Sequence, residues 1–331
     1  MKYVHLGNSN VLVSEFCLGT MMFGGKTGLD ESVRIIRRAV DAGVSFIDTA
    51  DVYNAGRSEE IVGQALQGIR DRVVLASKVG MTVGMGPNDT GASRFHIVRA
   101  VEASLERLGT DRIDLYYIHW PTTAMNLEET MRALDDLIHQ GKVLYPACSN
   151  FPAWLLTRSL WLQELSGYAP MVAGQYPYNL IERGLEVEVL PAALALGVGI
   201  VVYRPLSAGT LTGKYLEGLP AGSRGVSDER LSPWSERYRQ GIARLAAMAE
   251  ERGFTAADGA IAWVRGHPAV TAPIVGVSTM EQLEANLRGF EWEMAPEERD
   301  ALSAAFGSEV WEEAGGNFPM WRRSYDIARR P

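Results

Sequence analysis

Hydrophobic positions along the chain alternate between short runs of strand length and longer segments of helical period. A short hairpin is expected first, over residues 3–6 and 11–13. Helical segments separate the later apolar runs, and this order indicates parallel β/α units. The eight runs that predict the strands are FCLG, VSFID, VVLASK, DLYYIH, VLYPACS, VAGQY, GIVVYRP and TAPIVG.

Amphipathic helices are predicted between these runs. The clearest follows Ser93, a predicted N-cap, and ends at Gly109. Its apolar stripe is Ile97, Val98, Val101, Leu105 and Leu108. Similar stripes cover residues 31–42, 59–66, 127–138 and 241–249. Eight strands with intervening helices in about 300 residues predict one TIM-type (β/α)8 barrel over residues 1–331, rather than a doubly wound sheet.

Three segments exceed the usual loop length of such a barrel, namely residues 80–92, 206–237 and a C-terminal tail over 306–331. Long loops at the carboxyl ends of barrel strands form active sites. The tail contains aromatic residues, in which disordered segments are usually poor. We therefore expect it to fold near the substrate pocket, with packing against outer helices or a partner subunit as the alternative. Its aromatic residues are Trp311, Phe318, Trp321 and Tyr325.

Composition removes several classes of function. The net charge is −8 and no basic run occurs, so a nucleic-acid surface is not expected. No apolar stretch is long enough to span a membrane, and the N-terminus lacks the apolar core of a signal peptide, so we expect a cytoplasmic protein. Cys17 and Cys148 lie in apolar runs and are interpreted as core thiols. Four histidines, His5, His96, His139 and His267, show no paired ligand spacing, so no metal is expected.

Titratable residues follow three consecutive predicted strands. Asp48 ends the second barrel run, Tyr53 lies in the loop after it, Lys78 ends the third run and His119 ends the fourth. Each alone has an ordinary structural explanation, such as turn capping or packing. A closed barrel brings the carboxyl ends of adjacent strands to one mouth, and we therefore predict that these four residues form a catalytic group.

The four residue types fit hydride reduction of a carbonyl. Such a reaction needs a proton donor at the developing alkoxide, and a tyrosine with its ordinary pKa near 10 is a weak acid at neutral pH. We expect the Lys78 ammonium to lower the pKa of Tyr53 by roughly 1 to 3 units. Asp48 would keep Lys78 charged, and His119 would donate to the carbonyl oxygen.

Two nucleotide-binding motifs fail in this sequence. GGKT at residues 24–27 lies between a strand and a helix, as a P-loop would, but the required first glycine would fall on Thr20, so the spacing is wrong by one. No GxGxxG sequence lies between a strand and a helix, which disfavours a Rossmann domain.

Five segments closely resemble the aldo-keto reductase superfamily: GVSFIDTADVY, LASKVG, IDLYYIHWP, ACSNF and YRPLSAGTLTGKY. The resemblance runs from about Tyr3 to about Asn286 and is nearest to bacterial branches related to potassium-channel β subunits and deoxysugar ketoreductases. It implies Tyr53 as general acid/base, Lys78 and Asp48 as its supports and His119 as the residue that orients the substrate. Channel β subunits commonly lack the histidine, which this chain has.

The resemblance also implies a bound NADPH, with NADH as the alternative. Relatives usually have serine in place of Arg204, and strict NADPH users often carry arginine in place of Gln282. NADPH preference is therefore a family expectation only. The contacts implied at the nicotinamide end are Gly19, Thr20, Met21, Asp48, Ser149, Asn150, Gln175 and Tyr203. Those implied at the pyrophosphate and adenosine are Arg204, Pro205, Leu206, Ser207, Gly209, Lys214, Gly276, Ser278, Gln282 and Asn286.

The substrate pocket and the reaction direction leave alternatives. We expect the pocket to be lined by Met22, Phe23, Val52, Trp120 and Trp321, although the residues after the first barrel strand also suit ordinary core. One alternative function is a non-catalytic NADPH-binding regulatory subunit, against which the complete group of four argues. Another is a sugar dehydrogenase running oxidatively, because Trp120, Trp234 and Trp321 suit a sugar ring. A small-molecule carbonyl is the expected partner, and a homo-oligomer is left open.

Overall fold

The computed structural model of the chain describes residues 1–122, 125–216 and 235–307. Within these ranges an antiparallel hairpin, β1 (Tyr3–His5) and β2 (Leu12–Ser14), precedes a closed barrel of eight parallel strands. The strands pair in chain order and the last pairs with the first, which confirms the predicted (β/α)8 barrel. The barrel strands are β3 (Cys17–Gly19), β4 (Phe46–Asp48), β5 (Val74–Val79), β6 (Ile113–Ile118), β7 (Val143–Ser149), β8 (Ala173–Pro177), β9 (Gly199–Tyr203) and β10 (Val270–Gly276).

Helices cover the outside of the barrel. The predicted boundaries of one of them are confirmed, because Ser93 Oγ accepts from His96 N at 3.2 Å and Gly109 ends the helix at φ +58°. The helices in the described part of the chain are α1 (Leu29–Asp41), α2 (Arg57–Leu66), α3 (Arg94–Leu108), α4 (Leu127–His139), α5 (Ala153–Ser166), α6 (Val189–Leu196), α7 (Arg239–Glu250), α8 (Ala256–Arg265), α9 (Met280–Gly289) and α10 (Pro296–Ala305).

The N-terminal hairpin closes the amino end of the barrel. Leu6 and Val13 are fully buried and belong to the same hydrophobic cluster as the side chains inside the barrel. A Cβ on Gly7 would lie 2.5 Å from the carbonyl oxygen of Val172, so the hairpin backbone touches the strand starts directly. The carboxyl end therefore remains as the side on which a substrate site can be built.

Both cysteines are core residues, as the sequence predicts. Cys17 lies in the cluster inside the barrel and Cys148 in the cluster between strands and helices, and both are fully buried and unpaired. Burial raises the pKa of the Cys148 thiol to about 12. Neither thiol is a reactive nucleophile in this state.

The three long loops are only partly covered by the described ranges. Residues 80–92 contain no helix or strand, and a 3-10 helix, Ser207–Thr212, begins the second loop. Residues 217–234 and 308–331 lie outside the described residues, so the predicted place of the tail stays a prediction. No helix in the described part is long and apolar enough to cross a membrane. The predicted aromatic residues outside the described ranges are Trp234, Trp311, Phe318, Trp321 and Tyr325.

Candidate active site

The four predicted catalytic side chains meet at the carboxyl end of the barrel. Asp48 is the last residue of β4, and Lys78 is the last but one of β5. His119 directly follows β6, and Tyr53 begins a 3-10 helix, Tyr53–Gly56, after β4. Parallel register between β4, β5 and β6 brings these strand ends side by side.

Lys78 is the centre of this group. Its Nζ donates to Asp48 Oδ1 at 2.5 Å, to the carbonyl oxygen of Thr49 at 2.8 Å and to Tyr53 Oη at 3.1 Å. These acceptors account for the three N–H groups of an ammonium. Asp48 Oδ2 accepts from Gln175 Nε2 at 2.7 Å, so both carboxylate oxygens are also satisfied. The lysine is fully buried and is held in one orientation.

The charges of the group follow from burial and from the ion pair. Burial lowers the pKa of Lys78, but the Asp48 carboxylate and the Tyr53 phenol raise it by more, so the ammonium persists. Burial raises the pKa of Tyr53 and the Lys78 ammonium lowers it, with a net pKa above the ordinary value. The net lowering expected from the sequence is therefore wrong, because burial disfavours the phenolate more than Lys78 favours it. Tyr53 consequently holds its proton at neutral pH, which a proton donor requires.

His119 lies beside Tyr53 as a neutral imidazole. Its ring meets the Tyr53 ring edge-on, with 6.0 Å between the centroids. Burial, and then the charge of Lys78, lower the pKa of His119 to about 3. Its Nδ1 is buried and has no hydrogen-bond partner among the described residues. A neutral imidazole has one donor and one acceptor nitrogen, so His119 can donate to an oxygen next to the Tyr53 phenol.

The residues predicted to contact a nicotinamide ring form a hydrogen-bonded chain beside this group. Asn150 Nδ2 donates to the carbonyl oxygen of His119 at 3.1 Å, and Asn150 Oδ1 accepts from Tyr203 Oη at 2.8 Å. Ser149 Oγ donates to the carbonyl oxygen of Gln175 at 3.0 Å, and Gln175 in turn binds Asp48. Asn150 has φ +61°, a conformation that asparagine tolerates better than most residues. The ends of β7, β8 and β9 are thus connected by hydrogen bonds to the group of four predicted catalytic residues.

The loop after β9 combines a strained backbone with unsatisfied polar atoms. Arg204, Ser207, Ala208 and Gly209 all have positive φ, from 47° to 94°. Arg204 Nη2, Ser207 Oγ and Thr210 Oγ1 are buried, and none has a hydrogen-bond partner in the described part of the chain. Strain of this kind collects at ligand sites, and backbone turns with positive φ bind phosphate groups. The loop therefore has the backbone conformation and the donor groups that a pyrophosphate would need, and the resemblance implies that contact for Arg204, Ser207 and Gly209.

Thr210 is not among the cofactor contacts predicted from the sequence, although it lies within the segment LSAGTLTGK. Lys214 approaches the same loop, since a Cβ on Gly209 would lie 2.8 Å from Lys214 Nζ. Pro205 and Leu206 connect Arg204 to this turn. A glycine at position 209 thus leaves room for the cation next to the unpartnered hydroxyl groups.

The predicted adenosine contacts lie at the end of β10 and the start of α9. The side chain of Thr27 donates to the carbonyl oxygen of Ser278 at 3.1 Å, which joins this region to the loop after β3. Gln282 Oε1 accepts from Ser278 N at 2.8 Å. The side-chain amide nitrogen of Gln282 is therefore the group that can donate to a ligand. A Cβ on Gly276 would meet nothing within 4 Å, and Asn286 lies further along α9.

The loop after β3 differs from residue to residue in its exposure. Gly19 and Thr20 are buried, and Thr20 Oγ1 donates to the carbonyl oxygen of Asp48 at 3.0 Å. Met21 is exposed, Met22 is partly buried and Phe23 is fully buried in the core. The other predicted pocket residues in the described ranges, Val52 and Trp120, are partly buried.

A buried carboxyl next to the four predicted catalytic residues was not identified from the sequence. Asp51 is 4% exposed, and neither of its carboxylate oxygens has a well-formed hydrogen bond within the described ranges. Burial, and then the charge of Glu59, raise the pKa of Asp51 to about 7. The only signal was the second aspartate of DTAD, which an ordinary turn also explains.

Similarity to known proteins extends over all the described residues of the candidate site. The model of the Aldo/keto reductase family matches residues 15–305. A Bacillus subtilis protein, described as the uncharacterized oxidoreductase YrpG, is 38% identical over an alignment of 302 residues that covers 88% of this chain and 91% of that protein. A probable voltage-gated potassium channel subunit beta of Arabidopsis thaliana is 34% identical over 301 residues, covering 88% and 92%. The versiconal hemiacetal acetate reductase of Aspergillus parasiticus is 33% identical over 335 residues, covering 92% and 97%.

Proposed function

The chain belongs to the aldo/keto reductase family, and on that premise we propose that it reduces an aldehyde or ketone to the alcohol with NADPH or NADH. One observation carries this proposal. The buried ammonium of Lys78 is hydrogen-bonded to both Asp48 and the protonated phenol of Tyr53, beside a neutral imidazole at His119. A proton donor, its charged support and an oxygen-orienting donor are thereby within reach of one substrate oxygen.

Each side chain has a distinct task in this reduction. A reduced nicotinamide, when bound, supplies the hydride. Tyr53 donates its proton to the oxygen of the carbonyl as charge develops there. Lys78 stabilises the phenolate left behind, and Asp48 holds Lys78 charged and in place. His119 donates a hydrogen bond to the same oxygen and so fixes the angle at which the carbonyl is presented.

The cofactor would lie across the ends of β7 to β10. Ser149, Asn150 and Gln175 would hold the carboxamide, and the Tyr203 ring would lie under the nicotinamide. The unpartnered donors of the loop after β9 support a pyrophosphate site there. They are Arg204 Nη2, Ser207 Oγ and Thr210 Oγ1.

Several relatives are named as potassium channel beta subunits, and a binding role without turnover is the second candidate function. The presence of His119 with the other three residues favours an enzyme. A panel of aldehydes, ketones and sugars, followed by nicotinamide absorbance with NADPH and NADH, tests the two. Turnover of any carbonyl supports the reductase. Tight NADPH binding without turnover of any panel member supports the binding role, and faster oxidation of sugars than reduction of carbonyls supports a dehydrogenase.

The pH profile should carry no contribution from His119. Because the pKa of His119 lies near 3, its charge does not change between pH 5 and 8. The pH profiles of kcat/KM for wild type and for His119→Asn should therefore have the same shape, with different absolute values of kcat/KM. A limb near pH 6.5 that is present in wild type and absent in the variant would contradict the neutral imidazole. A limb shared by both proteins originates elsewhere, and Asp51 is the expected source.

The preference for NADPH over NADH should be modest. Gln282 offers a neutral amide donor where an arginine would give a charge-assisted pair with the 2′-phosphate. One neutral hydrogen bond corresponds to about a tenfold difference in affinity. The ratio of kcat/KM values for the two cofactors measures this preference. Gln282→Arg should raise the ratio by about a further tenfold. A wild-type ratio above a thousandfold would show that another cation, such as Lys214 or Arg288, reaches the phosphate.

A further inference from the structure

The residue after Tyr53 ties two loops of the site together. Asn54 Nδ2 donates to the carbonyl oxygen of Met21 at 3.0 Å and to that of Phe23 at 2.7 Å. Both carbonyls belong to the loop after β3, whose residue Met22 is a predicted pocket residue. One amide group next to the proton donor therefore holds the neighbouring loop, since β3 and β4 are adjacent strands of the barrel.

The backbone that presents this amide is strained. Asn54 (φ 50°, ψ 44°), Ala55 (φ 56°, ψ 40°) and Gly56 (φ 87°) form three successive left-handed residues directly after Tyr53. This conformation is unfavourable for residues with a Cβ, although asparagine tolerates it better than most. Such strain persists only where the surroundings fix the backbone, and it collects at functional sites. The two hydrogen bonds from Asn54 are contacts that fix it here.

Two glycines let the loop after β3 approach Asn54 and Arg57 closely. A Cβ on Gly25 would lie 2.6 Å from Asn54 Oδ1, and one on Gly24 would lie 2.5 Å from Arg57 Cγ. The GGKT sequence does not have the spacing of a P-loop. These close contacts explain instead why two glycines occur there. With any larger residue at position 25, the Asn54 amide would have to leave the place from which it binds Met21 and Phe23.

We propose that Asn54 and the pair Gly24–Gly25 form a latch that positions Tyr53 and the loop after β3 as one unit. The proposal rests on the proposed reductase function. Asn54 is a positioning residue: it acts through Tyr53, which carries the proton in that function, and through Met22, which the sequence predicts to line the substrate pocket. Opening the latch would loosen both at once, so proton transfer and discrimination among carbonyls are set by the same two hydrogen bonds.

Two substitutions open the latch from opposite sides. Asn54→Gly removes the amide while keeping a residue that accepts positive φ, and Gly25→Ala pushes the amide away. Each should lower kcat about tenfold or more, since small misplacements of reacting groups have effects of up to about 10²-fold. Each should also raise KM for bulky carbonyls more than for small ones. Gly28→Ala is the matched control, because φ there is −68° and a Cβ meets nothing within 4 Å.

A double variant tests whether the two residues act on one contact. If they do, Asn54→Gly combined with Gly25→Ala should be no slower than the slower single variant. Multiplied losses would show that the residues act at separate places and would overturn the latch. Should Gly25→Ala fail to fold, Asn54→Gly alone decides, because kcat and substrate ranking equal to those of wild type would also overturn the latch.

Hydrogen exchange gives a readout that needs no turnover. The amides of Phe23, Gly24 and Thr27 make hydrogen bonds within the loop, at 2.9, 2.9 and 3.0 Å. They should exchange faster in Asn54→Gly and in Gly25→Ala than in wild type or Gly28→Ala, as followed by mass spectrometry. Unchanged exchange in Asn54→Gly overturns the latch. Absence of turnover in wild type overturns the proposed function, and the two failures are thereby told apart.

Discussion

Replacing Tyr53 by phenylalanine should lower turnover by at least about 10²-fold, the usual scale of general acid catalysis. The substitution removes the oxygen that accepts from Lys78 Nζ at 3.1 Å and keeps the ring that packs edge-on against His119. The proposed site for the dinucleotide consists of other residues, so titration with NADPH should be nearly unchanged. The measurements are the rate of nicotinamide oxidation at saturating substrate and the fluorescence titration of the cofactor.

Tyr116→Phe is the matched control for this experiment. Tyr116 is fully buried in β6, and its hydroxyl has no hydrogen-bond partner in the described ranges, so losing that oxygen breaks no described bond. Turnover of this variant should stay within about twofold of wild type. If Tyr53→Phe reduces aldehydes at the parent rate, Tyr53 is not the proton donor. Equal losses in both variants would point to a general effect of removing a buried hydroxyl.

The barrel and the position of the site at its carboxyl end could be predicted from the sequence, because hydrophobic periodicity determines the order of strands and helices. Strand-length runs that alternate with helical stripes predict a barrel, and the strand ends of a barrel converge whatever the detailed packing. Asp48, Lys78 and His119 could be assigned to one mouth from their places at the ends of their runs alone. The structure agrees with the predicted strands to within a residue or two.

Quantities that depend on burial or on contacts distant in the chain could not be predicted. The net pKa of Tyr53 rises because its surroundings exclude water, which no pattern of residue types records. The isolation of the Asp51 carboxyl could not be predicted either, because it results from packing rather than from neighbours in the sequence. The bonds from Asn54 to the loop after β3 join residues about thirty positions apart, and a single asparagine in a loop gives no sign of them.

Breaking the Asp48–Lys78 pair from one side should have the largest combined effect on stability and rate. Lys78→Met leaves a carboxylate that is 2% exposed, with Gln175 as its remaining hydrogen-bond donor. Removing one partner of a buried ion pair destabilises a protein by about 3–5 kcal/mol. Turnover should also fall by at least about 10²-fold, because the phenolate of Tyr53 loses the ammonium that stabilises it.

A double variant separates the two effects. Asp48→Asn combined with Lys78→Met leaves no buried charge of the pair, and the asparagine can still pair with Gln175. The free energy of unfolding, measured in urea, should recover a large part of the loss seen in Lys78→Met, while turnover stays low. Recovery of turnover in the double variant would show that the pair only stabilises the fold. A single variant as stable as wild type would show that Asp48 does not depend on Lys78.

The pH dependence of the single variant identifies the carboxylate as the source of its instability. Burial raises the pKa of Asp48, and Lys78 and Gln175 oppose that rise, so the pKa should rise further once Lys78 is absent. A folded-state pKa above the unfolded value near 3.9 means that the folded form binds the additional proton between those two values. Stability then falls as pH increases through that window. The deficit of Lys78→Met relative to the double variant, which has no such group, should therefore be largest above the folded-state pKa of Asp48 and shrink as the pH falls toward about 4. A deficit that is constant with pH would assign the loss to packing of the new methionine instead.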